Sequence, residues 1–314
     1  MRVKFWGTRG GIPAPSVGYK NFHTEIYGGN TSCIEVSTPS TVIALDAGTG
    51  IREMGMDLLR RGYNPQSGQA GKELYVFLSH THWDHIQGIP FLQPFYKKGN
   101  RVHFYAQEKD NEKLRRARGT TEQILEIQQG APLFPVELGW VPSDKDFTDL
   151  RPEQIIELDG LTIRTAEVNH PNGCLAYRLE SRGTGRKVVY TGDNEPVFSE
   201  DPVKRRREER LVANLLEISD GVDVLIHDAQ YDDEYYKPRK GWGHSTFRDA
   251  VNHAIDSKAG ALYLFHHDPE FDDEKVSKML IAARDYANER LRFLGRDLNS
   301  LEVETAAEGG EIQL

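Results

Sequence analysis

The sequence predicts a single α/β domain, and three observations support this prediction. Short runs of β-branched and aromatic residues alternate with segments that have the apolar spacing of amphipathic helices. The 314 residues include no linker-like stretch, and layered α/β folds reach this length as one unit. Several strand-like runs end in histidine or aspartate. We therefore expect one domain, residues 1–314, with its chemistry where strands end.

The predicted elements follow one another in a regular order. Strands are predicted at residues 2–6, 32–36, 41–45, 73–78, 101–105, 161–170, 174–179, 187–191, 222–230 and 261–265. Helices are predicted at residues 51–62, 108–130, 204–219, 247–257 and 272–294. The region near 106–150 is irregular, with proline and glycine breaks after residue 130. We expect it to be a substrate-covering insertion or a subunit contact, although disorder or plain packing would give the same pattern.

Composition and charge argue against some classes of partner. The chain is 38% apolar and 28% charged, and no apolar run approaches the roughly 20 residues that span a bilayer. Its net charge of −9 disfavours long nucleic acids, because proteins that hold them usually present a basic face. Basic clusters at Arg115, Arg116 and Arg118 and at residues 204–207 have acidic neighbours, which favours solvated helix faces over a nucleic-acid track.

The cysteine content predicts the compartment. Cys33 and Cys174 are the two cysteines, too few for a disulfide framework, and the first residues form a strand-like pattern without an apolar signal region. We expect a cytoplasmic protein in which both cysteines are buried as small apolar residues.

One short segment, residues 79–85, concentrates metal-ligand chemistry. It follows the apolar run at 73–78 and holds His80, His82, Asp84 and His85. Such groups are costly to bury unless each is paired, and a metal ion is a suitable partner. His80 and His82 lie two residues apart and can share one ion, whereas Asp84 and His85 point elsewhere, so the segment offers ligands to two ions. A polar turn with surface histidines is the disfavoured alternative.

The run His80-Thr-His82-Trp-Asp84-His85 resembles the HxHxDH signature of metallo-β-lactamase-fold hydrolases. Later residues resemble the branch that includes ribonuclease Z and small cyclic-phosphodiester hydrolases, and the resemblance extends from about Val3 to about Leu294. It implies a four-layer αββα sandwich, with two mixed sheets face to face, helices outside and a dimetal site along one edge.

The resemblance also implies a set of metal ligands drawn from separate strand ends. The first ion is expected at His80, His82 and His170, and the second at Asp84, His85 and His266, with Asp193 bridging the two. His267 has the same chemistry as His266, and only the family's spacing from the strand favours His266.

Asp46, at a strand tip beside glycines, is interpreted either as a carboxylate that orients a ligand histidine or as an ordinary turn aspartate. Three further histidines, His23, His103 and His253, are interpreted as surface or packing residues.

The loop Gly241-Trp-Gly-His244-Ser-Thr246 supplies a candidate acid. By the resemblance, His244 binds phosphoryl oxygens or protonates the leaving alkoxide, and Asp228, at a strand end, holds its tautomer. Ser245 and Thr246 can cap the helix that follows. Asp84 is counted with His244 and Asp228 among the catalytic residues. A capping-loop histidine without a catalytic part is the alternative.

These residues predict a phosphodiesterase. Two divalent cations, expected to be zinc with manganese as the alternative, lower the pKa of a shared water, and the resulting bridging hydroxide attacks a small or cyclic nucleotide phosphodiester. The alternatives are a ribonuclease Z-like enzyme that processes transfer-RNA 3′ ends and a non-catalytic metal-binding scaffold. The resemblance further implies a homodimer.

Overall fold

Two seven-stranded sheets form the centre of the computed structural model, which describes residues 1–18, 21–66, 69–108, 121–196 and 198–314. In spatial order the first sheet contains β14 (Glu311–Gln313), β1 (Arg2–Gly7), β2 (Cys33–Ser37), β3 (Val42–Leu45), β4 (Glu73–Leu78), β5 (Arg101–Gln107) and β6 (Asp144–Leu150). The second contains β13 (Glu302–Thr305), β12 (Ala261–Phe265), β11 (Val224–Asp228), β10 (Lys187–Tyr190), β9 (Cys174–Ser181), β8 (Leu161–Val168) and β7 (Ile155–Leu158).

Both sheets are mixed in the same way. In the first sheet, β14, β1, β2 and β3 pair antiparallel, while β3 to β6 pair parallel. In the second sheet, β13 to β10 pair parallel, while β10 to β7 pair antiparallel. Because β10, β11 and β12 are parallel neighbours, their carboxyl ends meet at one edge of the sheet.

Helices cover the outer faces of the two sheets. Their bounds are α1 (Gly50–Arg60), α2 (Trp83–Ile86), α3 (Thr121–Gln128), α4 (Pro202–Ser219), α5 (Asp233–Tyr236), α6 (Phe247–Asp256) and α7 (Asp273–Phe293). Helix α1 packs through Ile51, Met54 and Leu58, which lie on one helical face. No helix in the described ranges combines the length and the apolar character that a bilayer crossing needs.

The three largest of the four apolar clusters among the described residues hold the layers together. One lies between the two sheets and includes Phe5, Tyr190 and Phe265. A second joins the first sheet to α1, and a third joins the second sheet to α6 and α7. Because apolar contact lies between the sheets and on both outer faces, the predicted four-layer αββα sandwich is confirmed.

Some predicted elements match the structure and others differ from it in their bounds. The strands at residues 73–78 and 261–265 match the structure, whereas the strand predicted at 222–230 extends only over Val224–Asp228. Of the helix predicted at 108–130, Thr121–Gln128 is helical. Residues 109–120, which include Arg115, Arg116 and Arg118, lie outside the described residues.

Candidate metal centre

The predicted ligands lie where strands of both sheets end. His80 lies two residues after β4, His170 and Asp193 lie shortly after β8 and β10, and His266 directly follows β12. Strand β4 belongs to the first sheet and the others to the second, so the edge where the two sheets meet gathers side chains from separated parts of the chain. The structure brings all seven predicted ligands together there, in two neighbouring clusters.

The first cluster consists of His80, His82 and His170, and one ring nitrogen of each lies within 4.8 Å of those of the other two. His82 Nδ1 lies 3.0 Å from His170 Nε2. His170 Nδ1 donates to the Gly243 carbonyl oxygen at 2.8 Å, so its Nε2 presents a lone pair to the cluster. His80 Nε2 is buried without a hydrogen-bond partner. Burial lowers the pKa of His80, and lowers that of His170 to about 4, which keeps both rings neutral as a metal requires.

The second cluster adds carboxylates to imidazoles and consists of Asp84, His85, Asp193 and His266. His85 Nε2 lies 3.2 Å from Asp193 Oδ2, and His266 Nε2 lies 3.2 Å from Asp84 Oδ2. Asp193 Oδ2 is also 3.5 Å from His80 Nε2 in the first cluster. One carboxylate therefore lies between the two clusters.

Two further residues orient the rings of the second cluster. His85 Nδ1 donates to Asp46 Oδ2 at 2.7 Å, and His266 Nδ1 donates to Gln230 Oε1 at 3.2 Å. In the neutral rings both Nε2 atoms carry lone pairs, and these atoms lie 3.3 Å apart beside two carboxylates. Such an arrangement is repulsive unless a proton or a metal cation lies between the groups. Together with the unpartnered His80 nitrogen, it fits a pair of divalent ions with oriented ligands.

Asp46 is anchored on several sides, which explains its position at a strand tip. Besides His85, it accepts hydrogen bonds from the Ser79 backbone N–H at 2.6 Å, from the Ser79 hydroxyl at 2.8 Å and from the Tyr190 hydroxyl at 2.6 Å. Its φ is +60°, an uncommon conformation for a residue other than glycine. The structure therefore favours the orienting interpretation of Asp46 over an ordinary turn.

Two glycines allow the backbone to approach the ligand rings. An added Cβ at Gly10 would lie 2.2 Å from the His266 ring, and one at Gly243 would lie 2.3 Å from His170 Nδ1. A side chain at either position would displace a ligand ring, because contacts this short are repulsive. His266 itself has a φ of +62°.

His244 and Asp228 form a hydrogen-bonded pair beside the second cluster. His244 Nδ1 donates to Asp228 Oδ2 at 2.9 Å, and the Asp228 carboxylate also accepts from the Asn194 and Gln230 backbone N–H groups. Burial alone would lower the pKa of His244, but the charge and hydrogen bond of Asp228 outweigh burial and raise it to about 9.

The loop that carries His244 is fixed by the start of α6. Thr246 caps this helix in a reciprocal arrangement with Asp249. Ser245, the other predicted cap, instead donates its hydroxyl hydrogen to the Asn194 carbonyl oxygen at 2.7 Å.

Glu195 supports the site although the sequence analysis did not single it out. Its carboxylate accepts from the backbone N–H groups of Gly241 and Gly243, at 2.7 and 2.8 Å, and from the Tyr236 hydroxyl at 2.8 Å. It thereby holds the glycine-rich loop whose carbonyl orients His170. Burial raises the pKa of Glu195. Its partners lie more than 40 residues away in the sequence, and no local pattern marks such a contact.

The other histidines have partners outside the two clusters. His267 Nε2 donates to the Ala306 carbonyl oxygen at 3.0 Å, so His266 rather than His267 faces the ligand set. His103 stacks on Tyr75. His253 Nε2 lies 3.1 Å from the Ser219 hydroxyl, and His23 is exposed beside Glu25.

The two cysteines do not contribute to the clusters. Cys33 and Cys174 are free and buried, as their small apolar character predicts. The cytoplasmic location remains a prediction.

A four-layer sandwich with histidine and aspartate clusters at one edge defines a metal-dependent hydrolase of the metallo-β-lactamase fold. Residues 41–267 match the sequence model of the family described as "Beta-lactamase superfamily domain", and the chain belongs to this family. The predicted fold family and the predicted class, a metal-dependent hydrolase, are both confirmed.

Similar proteins include relatives named ribonuclease Z and solved structures of a diphosphatase and of PDE1. Ribonuclease Z of Haloarcula marismortui is 26% identical over 85% of this chain and 86% of its own length. Ribonuclease Z of Pyrococcus furiosus is 25% identical over 96% of both chains. The structure of a diphosphatase from the PhnP family has a TM-score of 0.64 at 18% identity, covering 100% of this chain and 97% of that one. Unliganded yeast PDE1 has a TM-score of 0.64 at 15% identity, covering 100% and 99%. These structural likenesses establish the fold.

Proposed function

We propose that this protein is a dimetal phosphodiesterase that hydrolyses a small or cyclic nucleotide. The observation that carries the proposal is that members of both ligand clusters, together with His244, line one cleft of about 460 Å³. Divalent ions bound at the two clusters supply an activated water and screen the charge of a phosphodiester. Zinc suits this set of imidazole and carboxylate ligands, and manganese is the alternative.

Each cluster holds one ion in this proposal. The first ion is assigned to His80, His82 and His170, the second to Asp84, His85 and His266, and Asp193 contacts both. Asp84 is further fixed by the Gly11 backbone N–H, which donates to its Oδ2 at 2.7 Å. This contact holds one carboxylate oxygen in the cleft before any substrate arrives, so little reorganisation is needed on binding.

His244 is the proposed proton donor to the leaving oxygen. Because its Nδ1 donates to Asp228, its Nε2 is the atom left to face a substrate in the cleft. Asp228 is held by two backbone N–H groups and so fixes both the ring and its tautomer. An oriented histidine beside the reacting phosphate is the arrangement that general acid catalysis requires.

The test is hydrolysis by the metal-loaded protein of bis(p-nitrophenyl) phosphate, cyclic mononucleotides, cyclic dinucleotides and precursor transfer RNA. We expect chelator-sensitive turnover and a loss of about 100-fold or more in kcat for His244→Ala with unchanged metal content. His23→Ala is the matched control, because His23 is exposed and outside the clusters. Full activity of the His244 variant would contradict the proton-donor role, and a metal-loaded protein without any turnover would favour the scaffold alternative.

A transfer-RNA processing nuclease is the second candidate function. The observation that favours it is the 25–26% identity to two proteins named ribonuclease Z over most of the chain. The net charge of −9 favours the smaller substrate, because a folded RNA is bound largely through its phosphates. The ratio of kcat/KM for precursor transfer RNA to that for cyclic nucleotides decides between the two.

We also propose a homodimer in which the region near 106–150 forms a subunit contact or covers the substrate. Leu133 and Trp140 in its described part are each 67% exposed, so this region presents apolar side chains to solvent. Light scattering tests the proposal. A mass of two chains that falls to one in a Leu133→Asp, Trp140→Asp double variant would support a subunit contact, and a single-chain mass in the unmodified protein would contradict the homodimer.

A further inference from the structure

A tryptophan and an arginine form one side of the cleft that holds His244. Trp242 is 60% exposed and lines this cleft together with His244 and His266. Its backbone N–H donates to the Arg239 carbonyl oxygen at 3.0 Å, so one short turn carries both side chains. An exposed indole at this position offers a flat apolar face to a molecule that enters the cleft.

Arg239 is held in place by aromatic rings. Its guanidinium carbon lies 5.1 Å from the ring centre of Tyr235, 5.6 Å from that of Tyr231 and 5.7 Å from that of Trp242. These cation–π contacts hold the guanidinium in place without using its N–H groups.

The hydrogen bonds of Arg239 leave donors for a ligand. One nitrogen donates to the Tyr235 carbonyl oxygen at 3.0 Å, and the other terminal nitrogen lies 3.7 Å from the exposed Glu270 carboxylate. Of the described residues that line this cleft, Arg239 is the one lysine or arginine, so it offers an anionic substrate a permanent positive charge in addition to His244.

We infer that Trp242 and Arg239 form a subsite for one nucleotide unit of the substrate, its base and its phosphate. The base stacks on the Trp242 indole, and Arg239 donates to a non-reacting phosphate oxygen. This inference rests on the proposed function and narrows its substrate class to phosphodiesters that carry a nucleobase. Stacking on one indole tolerates any base, because every base has a π face.

The cleft volume limits what binds beside these residues. About 460 Å³ lies toward the lower end of the range for small-ligand sites, which is roughly 300–1,000 Å³. It suits one nucleotide unit next to the two clusters. The first cluster reaches this cleft through His82 and the second through Asp84, and Trp242 lines the same cleft. A base on Trp242 and a phosphate at the clusters can therefore belong to one bound molecule.

Two substrates with the same leaving group test the subsite. Thymidine 5′-(p-nitrophenyl phosphate) carries a base, and methyl p-nitrophenyl phosphate does not. We expect Trp242→Ala to lower kcat/KM about 5- to 100-fold for the thymidine substrate and less than about twofold for the methyl substrate. Trp242→Phe should retain most of the preference, and Phe293→Ala is the matched control, because Phe293 is 81% exposed outside this cleft. Arg239→Ala should raise KM for both substrates, because both contain the phosphate.

A binding measurement separates this inference from the proposed function. Thymidine 5′-monophosphate should quench the fluorescence of the metal-loaded protein, and Trp242→Phe should remove most of the quenching while the other three tryptophans remain. Quenching that depends on Trp242 without hydrolysis of either substrate would refute the phosphodiesterase proposal and keep the subsite. Equal losses for both substrates in Trp242→Ala, or quenching that does not depend on Trp242, would overturn the inference.

Discussion

The two ligand clusters differ in charge although they share one edge of the sandwich. The first consists of three imidazoles, and burial lowers the pKa of two of them, His80 and His170. The second contains two carboxylates. Burial alone would lower the pKa of its His85, but Asp193, Asp84 and Asp46 raise it. The protein therefore attracts a cation more strongly at the second cluster. The first cluster contains no carboxylate, and Asp193 is the negative charge beside it.

The largest expected effect comes from removing the carboxylate that the clusters share. Asp193→Asn keeps the shape but removes the charge between them. We expect the metal content to fall at both clusters and phosphodiesterase activity to fall by about 1,000-fold or more. Elemental analysis and kcat are the measurements. Asp144→Asn, on an exposed edge strand, is the control. Normal metal content in Asp193→Asn would show that the two clusters do not depend on this carboxylate.

Stepwise metal removal addresses the difference in charge directly. As chelator is added, we expect the first cluster to lose its ion before the second, because three neutral rings hold a cation less strongly than a site with two carboxylates. The protein with one ion per chain should have roughly 100-fold lower activity. Its melting temperature should fall in two steps, since each ion stabilises the folded state that binds it.

The assignment of these steps uses one variant from each cluster. In His170→Ala the early step should disappear, and in His266→Ala the late step should shift to lower chelator concentration. Loss of both ions in one step in the unmodified protein would contradict the unequal affinities.

The sequence predicts the ligands better than the groups that hold them. His80 lies in a dense local motif, whereas His170 and His266 follow strands with a clear apolar pattern and are assigned as ligands by the family resemblance. Glu195 and Gln230 do not stand out, because their roles depend on contacts across 48 and 36 residues of sequence. The choice of His266 over His267 likewise needed either the family spacing or the structure, since the two rings are chemically identical.

The same limit explains the strands that the sequence analysis missed. The four missed strands, β6, β7, β13 and β14, are the two edges of each sheet. Edge strands bury less of their surface, and β6 has the charged sequence Asp-Lys-Asp-Phe-Thr-Asp-Leu with an alternating pattern of exposure. An apolar run identifies a central strand, whereas an edge strand becomes recognisable only when its neighbour is known.

The smallest expected effects come from the groups that orient one ligand in each cluster. Glu195→Gln loosens the loop whose Gly243 carbonyl accepts from His170, and Gln230→Ala removes the acceptor of His266. Loss of such partners usually lowers metal affinity about 10- to 100-fold. We expect Glu195→Gln to shift only the early step of metal loss to lower chelator concentration. Gln230→Ala should shift only the late step. Glu195 also positions the loop that carries His244, so Glu195→Gln should lower kcat even in fully metal-loaded protein. An unchanged kcat would show that Glu195 affects only the first cluster.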